Sequence, residues 1–287
     1  MNEMGKRYLG QNFLYDPSIL KRIVQAAELD AEDLVVEIGP GPGRLTKMLA
    51  ERVKKVIAIE LDENLFRKLK SELAEYKNVE LIHGDALKYS YENLPEFKVV
   101  ANIPYYITTP IIFRLLEIKQ TYPIETKKTT EIILPRPPLV KGGRGDYRAR
   151  KNLESMTLTV QKEVAERIVA TPGGKDYGVL SIMVQYYAKP CLKFIIPKEA
   201  FRPVPKVDSA VIHIKILARP SVDVENDKIF FRTVKTAFSQ RRKMLSNSLK
   251  SMCGDVKEWL DKAGIDPNRR PETLSIEEFA RLANTYD

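Results

Sequence analysis

Over the first 118 residues, short apolar runs alternate with segments whose apolar residues recur at helical spacing. The runs contain Val35, Val56, Val79 and Val99, at separations of 21, 23 and 20 residues. Between them, apolar positions recur three and four residues apart, as they do on one face of a helix. This alternation predicts an α/β fold in which helices cover a parallel sheet.

Polar residues stand where each of the four predicted strands ends. The strand-end segments are residues 37–39, 60–62, 84–86 and 102–105. In parallel sheets, ligands bind beyond the carboxyl ends of the strands. We therefore expect these four segments to line one pocket.

A glycine turn follows the first strand and leads into a helix. Gly39, Gly41 and Gly43 are spaced Gly-x-Gly-x-Gly, whereas the dinucleotide fingerprint is Gly-x-Gly-x-x-Gly. The prolines between them lack the N–H groups that a pyrophosphate needs. Glu60 ends the next strand, where a carboxylate can accept hydrogen bonds from both ribose hydroxyls. The pattern favours S-adenosylmethionine, which has no phosphate. A dehydrogenase, or a turn without any ligand, stays open.

The third and fourth strand ends carry groups suited to an adenine. Asp85 can accept from the amino group of an adenine, or cap a helix. Pro104 stiffens the following turn and biases Ile103 toward an extended conformation. The side-chain oxygen of Asn102 and the carbonyl of Ile103 can then accept from one NH2 group, while Tyr105 stacks on the ring that bears it. A proline turn with packed tyrosines is the alternative.

Composition bounds the class of protein. The 287 residues, 44% of them hydrophobic, suffice for one large domain and a small one. A net charge of +9 favours a polyanionic partner such as RNA, although a solvated basic surface would show the same charge. Two cysteines form no disulfide framework, which fits a reducing, cytoplasmic location. The two isolated histidines predict no metal site. No apolar run is long enough to predict a membrane span.

Taken together, these motifs resemble the KsgA-type family of small-subunit rRNA adenine dimethyltransferases. The resemblance covers most of residues 5–118 and 155–287. The matching segments are 11–14, 37–46, 58–62, 84–87, 102–106, 160–167, 177–181 and 201–211. It implies a Rossmann-like S-adenosylmethionine-dependent methyltransferase sheet with a small C-terminal all-helical domain. The implied reaction is dimethylation of the 6-amino groups of two adjacent adenosines in the 3′-terminal hairpin of 16S rRNA, linked to small-subunit biogenesis.

The resemblance also implies roles for individual residues. The implied catalytic residues surround the target amine, with Phe201 closing the other face of the pocket. They are Asn102, Ile103, Pro104, Tyr105 and Phe201. The implied cofactor-binding residues are Asn12, Leu14, Gly39, Gly41, Glu60, Leu61, Asp85, Ala86 and Asn102. Catalysis would rest on positioning and electrostatics, without a metal or a strong base.

The apolar pattern divides the chain into two predicted domains. Residues 1–220 are predicted to form the methyltransferase domain and 221–287 the helical, RNA-binding one. Within the latter, Arg241, Arg242 and Lys243 are predicted to meet RNA phosphates, or else to form a solvated helix face. Residues 119–154 depart from the family and are rich in proline, glycine and basic side chains. They predict a mobile surface loop that touches rRNA, or a neutral insertion.

Two other functions stay open on the sequence alone. An Erm-type methyltransferase of large-subunit rRNA would share the segments around Asn12 and Asn102, but the glycine turn and residues 201–211 favour the KsgA type. A non-catalytic RNA-binding assembly factor could keep the same fold. The intact residues 102–105 argue against lost activity. The expected partner is small-subunit rRNA or its ribosomal precursor, and we expect the protein to act as a monomer.

Overall fold

The computed structural model describes residues 12–116 and 152–286. The strands are β1 (Phe13–Leu14), β2 (Leu34–Ile38), β3 (Lys55–Glu60), β4 (Val79–His83), β5 (Phe97–Asn102), β6 (Leu153–Gln161), β7 (Ala188–Ile196), β8 (Phe201–Arg202) and β9 (Ser209–Ile216). The helices are α1 (Pro17–Ala26), α2 (Arg44–Ala50), α3 (Glu63–Glu72), α4 (Thr108–Leu115), α5 (Lys162–Val169), α6 (Val179–Tyr187), α7 (Asp227–Ser239), α8 (Leu245–Ser248), α9 (Val256–Lys262) and α10 (Ile276–Asn284).

A seven-stranded sheet runs in the order β4-β3-β2-β5-β6-β9-β7. The pairs among β4, β3, β2, β5 and β6 are parallel, and β9 pairs antiparallel with both β6 and β7. The parallel sheet predicted from the four apolar runs is thus confirmed. After β4 the chain crosses to the other side of β2 to form β5. The carboxyl ends of β2 and β5 therefore flank the point where such sheets bind ligands.

The sheet is covered on both faces. Val35 and Val36 are adjacent on β2 and belong to different apolar cores, because successive strand residues point to opposite faces. Helices α1 and α2 cover one face. The core on the other face continues into the C-terminal helices, where Tyr186 stacks on Phe230 with 4.8 Å between ring centroids. The C-terminal part is helical, as expected. Its division from the sheet at residue 220 stays a prediction.

Helix starts follow the local sequence. Asp16 accepts from the N–H of Ser18 at 2.8 Å and so caps α1, and Asp62 caps α3 in the same way. Ser275 and Glu278 exchange hydrogen bonds as a capping box at the start of α10. In each case the capping side chain accepts from an N–H group two or three residues further along the chain.

Two predicted boundaries are wrong. Helix α7 ends at Ser239, because Gln240 takes a non-helical conformation (φ −130°, ψ 61°), so the basic run at 241–243 lies in a turn. Strand β6 begins at Leu153, because residues 153 and 155 pair with β5, so the predicted insertion cannot extend to residue 154. The rest of the insertion, including the predicted mobile loop, lies outside the described residues. Within the described ranges, no helix is long and apolar enough to cross a membrane.

Candidate active site

A cleft opens at the carboxyl ends of β2 and β5. Seven of the predicted site residues line it, namely Asn12, Leu14, Gly39, Asn102, Ile103, Pro104 and Tyr105. Segments from the N-terminus, the glycine turn and the end of β5 therefore meet at one place. A larger groove lies at the amino ends of β2, β3 and β4, among ion pairs such as Lys55–Glu80. That groove contains none of the predicted residues.

Asn102 ties the end of β5 to the N-terminal segment. Its Nδ2 donates to the backbone carbonyl of Asn12 at 3.1 Å. That bond uses the donor end of the amide, so the side-chain oxygen of Asn102 is its acceptor for a ligand. The next N–H, that of Ile103, donates to the carbonyl of Thr159 on β6 at 3.3 Å. Both residues are thus held at the cleft by bonds to neighbouring elements.

Tyr105 stands on a short 3-10 turn after Pro104. Its hydroxyl lies 2.7 Å from Oγ of Ser209 on β9, and partial burial raises the pKa of the phenol. The glycine turn approaches Pro104, at the start of this 3-10 turn, since a Cβ added to Gly39 would lie 3.8 Å from Cδ of Pro104. The Tyr105 ring is therefore fixed along one wall of the cleft, beside the backbone of the glycine turn.

The N–H groups of the three glycines in the turn donate hydrogen bonds to acceptors within the protein. Gly39, Gly41 and Gly43 all have positive φ, of 68°, 57° and 75°. The N–H groups of the first and last donate to backbone carbonyls at 3.0 and 2.9 Å, and that of Gly41 donates to Oε2 of Glu60 at 3.1 Å. These three donors are not left for a pyrophosphate, which supports a cofactor without phosphate.

Glu60 is buried, and neither residues 60–62 nor residues 84–86 line this cleft, contrary to the expectation of one shared pocket. The other oxygen of Glu60, Oε1, accepts from the N–H of Asp62 at 2.9 Å, and burial raises the pKa of its carboxyl. Only 1% of Glu60 is exposed, whereas Leu61 beside it is 51% exposed. A carboxylate has about four acceptor positions, so two backbone bonds leave capacity for a ligand hydroxyl.

Asp85 and Ala86 lie at the end of the neighbouring strand β4. Oδ1 of Asp85 accepts from the N–H of Leu87 at 2.9 Å, and the carbonyl of Ala86 accepts from the hydroxyl of Tyr91. Tyr106 was not foreseen from the sequence. Partial burial raises the pKa of its phenol, and the negative charges of Asp85 and Glu60 add to the rise, so Tyr106 lies near both predicted cofactor-binding acids.

Phe201 is not where the resemblance implied. Its side chain is fully buried in the core beside Leu14 and does not line the cleft. The physical reason is the pairing of β8 with β1, in which Phe201 stands opposite Leu14 and Arg202 opposite Phe13. Phe201 therefore packs in the apolar core to which Leu14 also belongs.

Glu37 is the site residue that sequence analysis left without a role. It lines the cleft and is 1% exposed. Burial raises the pKa of its carboxyl to about 8. The signal was present in the sequence, because Glu37 is an acid inside the otherwise apolar run 34–38.

The predicted RNA-binding run divides into two parts. The guanidinium of Arg241 donates to the carbonyls of Lys175 and Tyr177 at 2.7 and 2.9 Å, so it clamps a neighbouring loop. Arg241, Arg242 and Lys243 are all exposed. All three stay predicted phosphate contacts, and Arg241 in addition holds the neighbouring loop.

We expect Gly41→Ala to disturb the cleft. A Cβ at Gly41 would lie 2.7 Å from the Phe13 ring, and its φ of +57° is strained for alanine. The free energy of unfolding should fall by about 1–3 kcal/mol, measured by denaturant titration. Gly254→Ala is the matched control, because nothing lies within 4 Å of its added Cβ. Equal stability of the two variants would contradict the close packing of Phe13 on the turn.

The sequence and the fold are both similar to those of known proteins. The family model for ribosomal RNA adenine dimethylase matches residues 2–287. The chain is 46% identical to the ribosomal RNA small subunit methyltransferase A of Clostridium botulinum (strain Okra / Type B1), over 97% of this chain and 93% of that protein. A dimethyladenosine transferase structure from Plasmodium falciparum is similar with a TM-score of 0.70 at 27% identity, over 94% of this chain and 95% of that one. The 23S rRNA methyltransferase ErmE is similar with a TM-score of 0.68 at 27% identity, over 96% and 99%.

Proposed function

Because this chain belongs to the ribosomal RNA adenine dimethylase family, we propose that it dimethylates adenine in small-subunit rRNA with S-adenosylmethionine. The choice of small-subunit rRNA as the substrate rests on the chain's 46% identity, over nearly its whole length, to a protein named ribosomal RNA small subunit methyltransferase A. The targets proposed are the 6-amino groups of two adjacent adenosines in the 3′-terminal hairpin. The reaction would take place in the cytoplasm during small-subunit biogenesis, with the protein acting as a monomer.

S-adenosylmethionine is proposed to lie across the cleft and the neighbouring ends of β3 and β4. Glu60 and Asp85 would hold the ribose and the adenine, with Leu61 and Ala86 beside them, while Asn12 and the backbones of Leu14 and Gly39 would hold the methionine part. The glycine N–H groups already bonded within the protein suit a ligand without phosphate. The bound cofactor supplies a methyl group on a positively charged sulfur.

The chain's own residues would prepare the target amine. The lone pair of an adenine amino group is delocalised into the ring, which makes the nitrogen a poor nucleophile. The Asn102 side-chain oxygen and the Ile103 carbonyl would each accept one of its hydrogens and favour a nitrogen whose lone pair points out of the ring plane. The Tyr105 ring would hold the base by stacking. Positioning and electrostatics then lower the barrier without a general base.

A direct test compares the two ribosomal subunits as substrates. Purified protein is incubated with labelled S-adenosylmethionine and either small or large subunits from cells that lack adenine dimethylation. We expect label on the small subunit alone, with dimethyladenosine found by mass spectrometry of its digested RNA. Label on the large subunit alone would indicate an Erm-type enzyme. Binding without transfer would indicate an assembly factor.

We expect the exposed side chains of the basic turn to contribute to RNA affinity and not to the stability of the fold. Replacing Arg242 and Lys243 together with alanine should weaken subunit binding and reduce the salt slope by about 1–2, because two phosphate contacts are lost. The unfolding temperature should not change. The Lys68→Ala, Lys70→Ala pair on α3 removes the same charge and is the control. An unchanged salt slope would make the turn a solvated surface only.

Arg241→Ala should behave differently from its neighbours. It removes two hydrogen bonds to the carbonyls of Lys175 and Tyr177, so the free energy of unfolding should fall by about 1–2 kcal/mol. Thermal or denaturant unfolding of the protein alone measures this loss. Stability equal to that of the wild type would show that the clamp contributes nothing.

A further inference from the structure

We propose that Arg44 is a further cofactor-binding residue, whose guanidinium pairs with the carboxylate at the methionine end of S-adenosylmethionine. The inference rests on the proposed function, since it takes the cofactor as given. It adds a determinant of specificity, because a ligand that keeps the adenosine and the amine but lacks the carboxylate would lose this pair.

Arg44 is the only cationic side chain in the lining of the cleft, within the part of the chain that the structure describes. It is the first residue of α2, directly after the glycine turn, and its side chain is exposed. The one acid in the same lining is Glu37. The cofactor brings a carboxylate to the cleft, and a guanidinium can bind a carboxylate through two parallel N–H donors. Arg44 is therefore the charged group of the lining that suits this end of the cofactor.

Tyr15 holds the guanidinium of Arg44 in place. The Cζ atom of Arg44 lies over the Tyr15 ring, 4.7 Å from its centroid. Such a cation–π contact restricts a long side chain but uses none of its N–H donors in a conventional hydrogen bond. Tyr15 directly follows Leu14, whose backbone is assigned to the methionine part of the cofactor. The contact therefore keeps Arg44 at the methionine end of the cleft.

The charge of Arg44 is left for a ligand. No ion pair joins Arg44 to an acid among residues 12–116 and 152–286. Lys47, three residues further along the same helix, differs in this respect, since its Nζ lies 3.2 Å from Oε2 of Glu72. A cation at the cleft that no protein acid neutralises can meet an anionic ligand without first breaking an existing pair.

A phosphate of the RNA is the other anion that could reach the mouth of the cleft. The target base is assigned to the ring of Tyr105, on the turn that follows β5. Arg44 is tied instead to the N-terminal segment through Tyr15. This position favours the carboxylate of the cofactor, and the RNA phosphate becomes an outcome of the test.

Two ligands that differ only in the carboxylate test the pair without RNA and without activity. S-adenosylhomocysteine and its decarboxylated analogue share the adenosine, the thioether and the amine. Calorimetric titration into the full chain at low salt gives the Kd of each ligand, and the ratio of the two isolates the carboxylate. We expect the wild type to prefer S-adenosylhomocysteine by about tenfold, because the analogue cannot form the charge-assisted pair.

Variants of Arg44 assign that preference to its guanidinium. Arg44→Gln should reduce the preference to within about threefold and leave the Kd of the analogue almost unchanged, whereas Arg44→Lys should retain part of it, because an ammonium keeps the charge without the bidentate geometry. Arg52→Gln is the matched control and should keep the full preference, since Arg52 is exposed just beyond α2 and lies outside the lining. The unfolding temperature of Arg44→Gln should differ from that of the wild type by no more than about 4 °C, because the side chain is exposed.

Tyr15 is assigned here as a positioning residue, which a conservative variant can test. Tyr15→Leu should lose part of the preference for the carboxylate, because the guanidinium then has no ring beneath it. Tyr15→Phe should retain the preference, because the ring alone holds the cation. A full preference in Tyr15→Leu would overturn the positioning role.

Three results would contradict the proposal, and they differ in what they overturn. Equal preferences in the wild type and in Arg44→Gln would overturn the pair between the guanidinium and the carboxylate. Weaker small-subunit binding by Arg44→Gln, with an unchanged preference, would also overturn it and would assign the guanidinium to an RNA phosphate. Binding of neither ligand by the wild type would overturn the proposed function, and this assignment with it.

Discussion

Replacing Asn102 with alanine should reduce methyl transfer to small-subunit RNA by about 100- to 1000-fold, the usual effect of removing one preorganised polar group. The side-chain oxygen of Asn102 is the acceptor proposed to orient the target amine. Its Nδ2 is already bonded to the Asn12 carbonyl at 3.1 Å, so the side chain enters the reaction with its orientation fixed. The variant should remain folded, because the side chain lies at the cleft surface and contributes no core packing.

The same substitution also removes support from the N-terminal segment, so cofactor affinity must be separated from rate. Single-turnover transfer with saturating S-adenosylmethionine measures the chemical step after binding. Asn64→Ala is the matched control, because Asn64 is exposed on α3 and lies outside the cleft. Single-turnover transfer by Asn102→Ala within a few-fold of the control would contradict the assigned role.

The fold was predictable where its signals are local. Val35, Val56 and Val99 lie in buried strands, and Val79 lies in the partly buried edge strand β4. Parallel sheets are built from such apolar runs separated by helices. Cap residues such as Asp16 and Ser275 act on N–H groups two or three residues away, so their sequence context contains the whole interaction. These features needed no knowledge of distant contacts.

Most of what the sequence did not reveal involves contacts between distant parts of the chain. Phe201 is buried because its strand pairs with Leu14, far away in the sequence. Arg241 is an exposed charge, as its sequence context suggests, but its bonds to the carbonyls of Lys175 and Tyr177 link it to a loop more than 60 residues away. Glu37 was visible as an acid in an apolar run, yet only the structure shows that its carboxyl is buried at the cleft. Local patterns determine elements, whereas long-range packing determines which side chains reach the site.

Glu60→Ala should weaken S-adenosylmethionine binding by about 1–3 kcal/mol, the usual contribution of hydrogen bonds to a charged group. The substitution also removes the acceptor for the N–H groups of Gly41 and Asp62, so the free protein should lose stability. Calorimetry measures the affinity, and thermal unfolding measures the stability. Glu63→Ala, at an exposed position on α3, controls for the loss of one negative charge.

A ligand analogue can distinguish the ribose contact from a general disturbance of the glycine turn. S-adenosylhomocysteine and its 2′,3′-dideoxy analogue differ only in the two hydroxyls that Glu60 is proposed to bind. The wild type should prefer the normal ligand, because only that ligand offers the carboxylate two donors. Glu60→Ala should lose most of this preference, whereas Gly41→Ala, which keeps the carboxylate, should retain it. If Glu60→Ala weakened both ligands equally, Glu60 would be a residue that holds the turn and not one that binds the ribose.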